Sequence, residues 1–146
     1  MDSVSKKYRE IRAMDIAGRV IPIAIKQKEG KVFAWVIGTY IIDSADTVED
    51  AVDKVLKVIN INSPARFKLA PKEKQQKLLD WIKENVQPGE AKYTSYRLKH
   101  VVEDDIDEYV NNGEMKGALL YAGYEPCKDT LSYLNWKFQV REIPNS

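Results

Sequence analysis

The sequence predicts an α+β fold made of two units, an N-terminal β-hairpin plus helix and a C-terminal winged-helix-like three-helix unit with a terminal strand. Three patterns predict it. Two runs rich in β-branched and aromatic residues, VIPIAIK at 20–26 and KVFAWVIGTYII at 31–42, flank the polar, glycine-containing QKEG. Apolar residues then recur at helical spacing in several segments between 43 and 122. LNWKFQV at 134–140 alternates apolar and polar residues, as a half-buried strand does. The expected boundaries are a hairpin-helix unit at 1–62, a connector at 63–72 and the winged-helix-like unit at 73–146.

In chain order, Tyr8, Ile11 and Met14 at helical spacing behind Ser3 or Ser5 predict a short helix over 3–14. Pro22 has no N–H for a ladder, so the run at 20–26 is expected either on a sheet edge or to begin irregularly. The run at 31–42 is apolar on both faces, so each face needs a cover. One cover is the helix in 43–61, capped by Thr47 with Asp50 at N3, whose stripe is Val48, Val52, Val55, Leu56 and Ile59. The other cover is expected from the second half or from another subunit, which makes a homodimer through this sheet a candidate.

The connector carries two prolines, and Pro71 suits the first turn of a helix over 72–86, with stripe Leu78, Leu79, Ile82 and Val86. Thr94 or Ser95 caps the next helix, whose buried side is Leu98, Val101, Val102 and Ile106. Asn111 or Asn112 caps the last helix, over 112–122. Met115, Ala118, Leu119 and Ala122 point inward there, and Gly123 stands at C′. The final strand has Leu134, Trp136, Phe138 and Val140 inward, and its candidate partners are the residues near Tyr109 and Val110 or near Lys92 and Tyr93.

Composition narrows the function classes. The chain has 146 residues, 44% apolar and 31% charged, values ordinary for a globular protein. Its formal net charge of +1 creates no whole-chain field toward nucleic acid or membrane. Residues 1–72 hold 13 basic and 9 acidic side chains, and residues 73–146 hold 10 and 13. No apolar run approaches the ~18 residues of a membrane span, so no membrane contact is expected. One cysteine, Cys127, excludes an intramolecular disulfide, and no secretory pattern opens the chain, so a reducing cytoplasm is the expected compartment.

Catalytic chemistry has little to work with. Nucleophilic catalysis needs a hydroxyl or thiol beside a base, and the one histidine, His100, reads as a helix-surface residue. Cys127 follows a proline without an evident activating neighbour. With one His and one Cys, no intrachain His/Cys zinc site is expected. GEMKG at 113–117 lies within a helix and is not a phosphate loop, and Gly117 there suits close helix packing. The reading is therefore a non-enzymatic protein with no cofactor and no metal.

Two surfaces are candidates for binding. The acidic run Glu103, Asp104, Asp105, Asp107 and Glu108 opposes the dipole at its own helix C-terminus, which marks it as a surface for a protein partner. Basic residues offer phosphate contacts: Lys26, Lys28 and Lys31 around the hairpin, Arg66, Lys68 and Lys72 around the connector, and Arg97, Lys99, Lys116, Lys137 and Arg141 in the C-terminal unit. The helix that would enter the major groove, 112–122, carries only Glu114 and Lys116 as charged residues.

The stretches TSYRLKH (94–100), YVNNGEMKGALLYAGYEP (109–126) and LNWKFQV (134–140) resemble uncharacterised small proteins of Gram-positive phages and mobile elements. The resemblance covers about the last third of the chain and implies a helical, winged-helix-like module of such origin. It implies no activity. The expected function is an accessory protein that binds a host or phage protein, inhibition of a defence or nucleic-acid-processing complex being one instance. The alternative is a DNA-binding regulator or replication accessory protein using the winged-helix-like unit.

Overall fold

The computed structural model describes residues 8–144. It is a mixed α+β protein that divides into two units, Met1–Asn60 and Ile61–Ser146. The segment 63–72, expected as a connector, falls inside the second unit.

The first unit is a four-stranded antiparallel meander followed by a helix: β1 (Arg9–Met14), β2 (Val20–Lys28), β3 (Lys31–Val36), β4 (Ile42–Ala45) and α1 (Val48–Ile61). The expected helix over 3–14 is corrected in its described part, because residues 9–14 form β1; residues 3–7 lie outside the described residues. The spacing of Tyr8 and Ile11 fits a helix, but cross-strand pairing decides. Ile11 sits opposite Ile23, and Tyr8 meets the Trp35 ring edge-on at 5.3 Å on the other face. β2 is consequently an inner strand, not an edge. Pro22 is tolerated there because it stands where the β2–β3 ladder ends, its carbonyl accepting from the Ile37 N–H at 3.1 Å.

Two turns shape the sheet. Glu29 and Gly30 both have positive φ (53° and 79°) and close the β2–β3 hairpin in the two-residue form whose twist matches its strands. The apolar run 31–42 is not one strand. It breaks at Gly38 (φ 84°), where the Thr39 hydroxyl donates to the Val36 carbonyl and accepts from the Ile41 N–H, and it returns as β4. One sheet face, with Ile21, Ile23, Ile25, Val32, Ala34, Val36 and Ala45, is buried. The buried stripe of α1 is Ala51, Val55 and Ile59. Thr47 caps α1 by accepting from Asp50 N at 3.1 Å. Lys54 donates to Ser44 O and Asn60 accepts from Ile16 N, tying the helix to the sheet at both ends.

The second unit comprises α2 (Arg66–Leu69), α3 (Lys72–Asn85), β5 (Pro88–Thr94), α4 (Ser95–Ile106), α5 (Asn112–Tyr121) and β6 (Lys137–Val140). β5 and β6 pair antiparallel with Tyr93 opposite Phe138, so the terminal strand takes the Lys92–Tyr93 partner. Phe138 and Val140 are buried, whereas Leu134 precedes the strand and is exposed. Thr94 caps α4, and Asp107 ends it in the left-handed region (φ 54°). Asn111 and Glu114 form a reciprocal capping box on α5, and Gly123 (φ 99°) closes it. Ala122, expected inward, is exposed. α5 is the hub of this unit: every residue from Asn111 to Leu119 is buried, the two charged ones included.

Candidate interaction surfaces

The five acidic residues do not form one free patch. Glu103 turns inward, its Oε2 accepting from Val110 N at 3.0 Å and its Oε1 lying 3.3 Å from Lys99 Nζ and 3.1 Å from His100 Nδ1. Asp105 accepts from the Trp81 indole at 2.6 Å, and Glu108 pairs with Lys77 at 3.0 Å. Asp104 and Asp107 remain exposed. Three of the carboxylates thus hold the α3–α4–α5 junction together, so the run's departure from helix-dipole preference has an internal explanation. The ammonium of Lys77 is raised above its ordinary pKa by the hydrogen bond it donates to Glu108.

Glu103 makes its role measurable. Burial pushes its carboxyl up, but the Val110 N–H, the Lys99 ammonium and His100 outweigh that and hold it below the ordinary carboxylate value of 4.5. The unfolded chain therefore binds this proton more readily than the native one. The stabilisation is complete above the ordinary value and is lost as pH falls through the lowered one. Glu103→Gln is expected to cost about 1 kcal/mol at neutral pH. It should also flatten the fall in stability below about pH 4.5, read as urea midpoints across an acid titration.

The basic candidates scatter in the same way. In the first unit Lys28 is exposed, Lys26 is half-buried on the sheet, and Lys31 pairs with Asp46 at 2.9 Å, which lowers that carboxyl's pKa. In the second unit Lys99 and Lys116 are corrected as phosphate ligands, because both are buried. Lys116 Nζ donates to Asn62 O at 2.7 Å and lies 4.5 Å from the centre of the Trp136 ring. Arg66 is half-buried beside α5, with its buried Nε lacking a hydrogen-bond partner. Lys68 and Arg97 lie over the rings of Tyr121 and Tyr93 at 4.5 Å and 4.9 Å. Lys72, Lys137 and Arg141 are exposed. The only histidine of the chain, His100, contacts Glu103 and the edge of Tyr96 (4.4 Å), while Cys127 is half-buried. Among the described residues no group of three or more His, Cys, Asp or Glu side chains is placed to hold a metal ion, and no helix is long and apolar enough to cross a membrane.

A surface that residue types alone did not single out is the second face of the first unit's sheet. Strand register puts Glu10, Ala24, Trp35 and Ile42 in one row across it, Arg12 and Pro22 in the next, and Met14 and Val20 beyond. On the other side of the Trp35 row lie Lys26, Phe33 and Ser44, then Lys28 and Lys31 at the hairpin end. Met14, Val20 and Ile42 are 66%, 56% and 57% exposed, and Phe33 and Trp35 are half-buried. The two-sided apolar character of residues 31–42 was the available signal. The split of that run into β3 and β4, which places Ile42 beside Trp35, was not visible.

Comparison with protein-family models, curated proteins and solved structures gave no match.

Proposed function

We propose that the chain is a non-enzymatic accessory protein that works by binding protein, through the second face of its N-terminal sheet. One observation carries this: Met14, Val20 and Ile42, each more than half exposed, share a face with Phe33 and Trp35. Contiguous exposed aliphatic and aromatic side chains gain by leaving water, and a protein surface is what such a patch complements. The most exposed members of the patch, Met14, Val20 and Ile42, are aliphatic and offer nothing for stacking a base. The resemblance of the last third of the chain supports a phage or mobile-element setting, in which a host or phage protein is the target and inhibition of a defence or nucleic-acid-processing complex is one use. In the second unit Asp104 and Asp107 are exposed.

The rival reading is a DNA-binding regulator or replication accessory built on a winged helix. Its groove-reading helix would be α5, and α5 is buried over 111–119, leaving no face for base edges. What still favours it is the exposed set Lys72, Arg97, Lys137 and Arg141. A labelled duplex titrated with the protein separates the two. The expected result is no shift at moderate salt. A shift that weakens steeply as salt rises would overturn the protein-binding reading.

A further inference from the structure

The open sheet face of the first unit is graded along its strands. Its hairpin end is cationic, with Lys26, Lys28 and Lys31, and its far end is uncharged, with Met14 and Val20. Between them the edge strand β1 carries Glu10 and Arg12, two residues apart and directed to the same face. We propose that a second copy of the chain covers this face, the two sheets packing about a two-fold axis that crosses the strands between the Glu10 and Arg12 rows. This rests on reading the face as protein-binding.

Three features fit that axis. Rotation about it reverses the rows and keeps each strand over its counterpart, so Glu10 of one copy meets Arg12 of the other and the reverse. A self-complementary two-fold interface needs such a reciprocal pair. Within the rows the same rotation lays Ala24 of one copy over Pro22 of the other and the stem of Lys26 over Val20, and it brings Trp35 within one strand of that Pro22. It also sends Lys28 and Lys31 of the two copies to opposite ends, whereas an axis parallel to the strands would set them against each other. Face-to-face sheets keep their strands within about 30° of alignment, so the row-over-row match survives their twist.

The test uses the full chain in sedimentation equilibrium, with circular dichroism as a check that each variant is folded. The positions changed are exposed, so the variants are expected to fold. The wild type is expected at twice the 16.8 kDa of one chain. Ile42→Asp and Val20→Asp should each give monomer. Glu10→Arg and Arg12→Glu should each weaken the dimer at least tenfold, and the double swap should restore it. A dimer indifferent to both sets of variants would overturn the proposal. A monomeric wild type would overturn it too, and a labelled deoxythymidine oligonucleotide then tells which idea has failed. Monomer without oligonucleotide binding removes the second copy and leaves the protein-binding reading. Monomer that binds the oligonucleotide, with binding lost in Trp35→Ala, removes both.

Discussion

Gly117→Ala is expected to destabilise the second unit by about 3 kcal/mol, although alanine is the better helix former by about 1 kcal/mol. A methyl group at Gly117 would lie 2.3 Å from the Pro64 carbonyl oxygen and 2.4 Å from Phe67 Cβ. Neither neighbour is the free end of a side chain, so the whole 64–67 segment must move. Phe67, 1% exposed, would move with it in the core. Gly113, one turn earlier, meets the Ser63 carbonyl oxygen at 2.1 Å and that of Ile61 at 2.8 Å, so Gly113→Ala should behave alike. The pair lets α5 lie directly on backbone. The measurement is a urea midpoint, which should fall with little change in slope if the denatured state is unaffected. A neutral or stabilised Gly117→Ala would mean that α5 and the 61–67 segment are not in such close contact.

What could be read ahead of the structure was local. Thr47, Thr94, Asn111 and Gly123 act within one helical turn of themselves, and each stands at the helix end where its chemistry belongs. The stripe of α1 was legible only in part: Val55 and Ile59 are buried as expected, but the third buried residue is Ala51, and Val48, Val52 and Leu56 are half-buried. β1 was not, because Tyr8, Ile11 and Met14 fit a helical face as well as an edge strand, and only pairing with β2 separates the two. The turn at Gly38 hides inside an apolar run because Ile37 and Ile41 flank it without a polar break.

The candidate surfaces were read least well, and distance along the chain explains it. Lys116 looks like an exposed cation in a bland helix, yet its partner Asn62 is 54 residues away and Trp136 covers it from the other side. Asp105 and Glu108 are likewise satisfied from α3, by Trp81 and Lys77, whereas Lys99 and Glu103 pair one turn apart within α4 and only their burial was hidden. A charge count treats each of these as available, whereas burial has already committed them. The open sheet face is the converse case. No charge or motif announces it, and register alone brings Met14, Val20, Trp35 and Ile42 to one side.

Removing the ammonium of Lys74 should have an effect as large as Gly117→Ala. Lys74 Nζ lies 2.8 Å from Glu114 Oε1, and the two side chains are only 12% and 7% exposed. The same Glu114 oxygen accepts from Asn111 N at 2.9 Å, while Asn111 Oδ1 accepts from Glu114 N at 2.7 Å. One carboxylate therefore closes the N-terminus of α5 and binds α3 to it. Lys74→Met leaves that carboxylate buried with backbone donors but no cation, which costs about 3 kcal/mol. Glu114→Gln keeps a side chain able to cap and leaves the lysine near the Tyr109 ring, 5.7 Å away, so its cost should be smaller. The double variant Lys74→Met/Glu114→Gln should be more stable than Lys74→Met alone, because it removes the stranded charge. A coupling of about 2 kcal/mol in that cycle is expected from denaturation midpoints. Additive single effects would mean that the pair is solvated and that the apolar neighbours of α5 alone hold α3 in place.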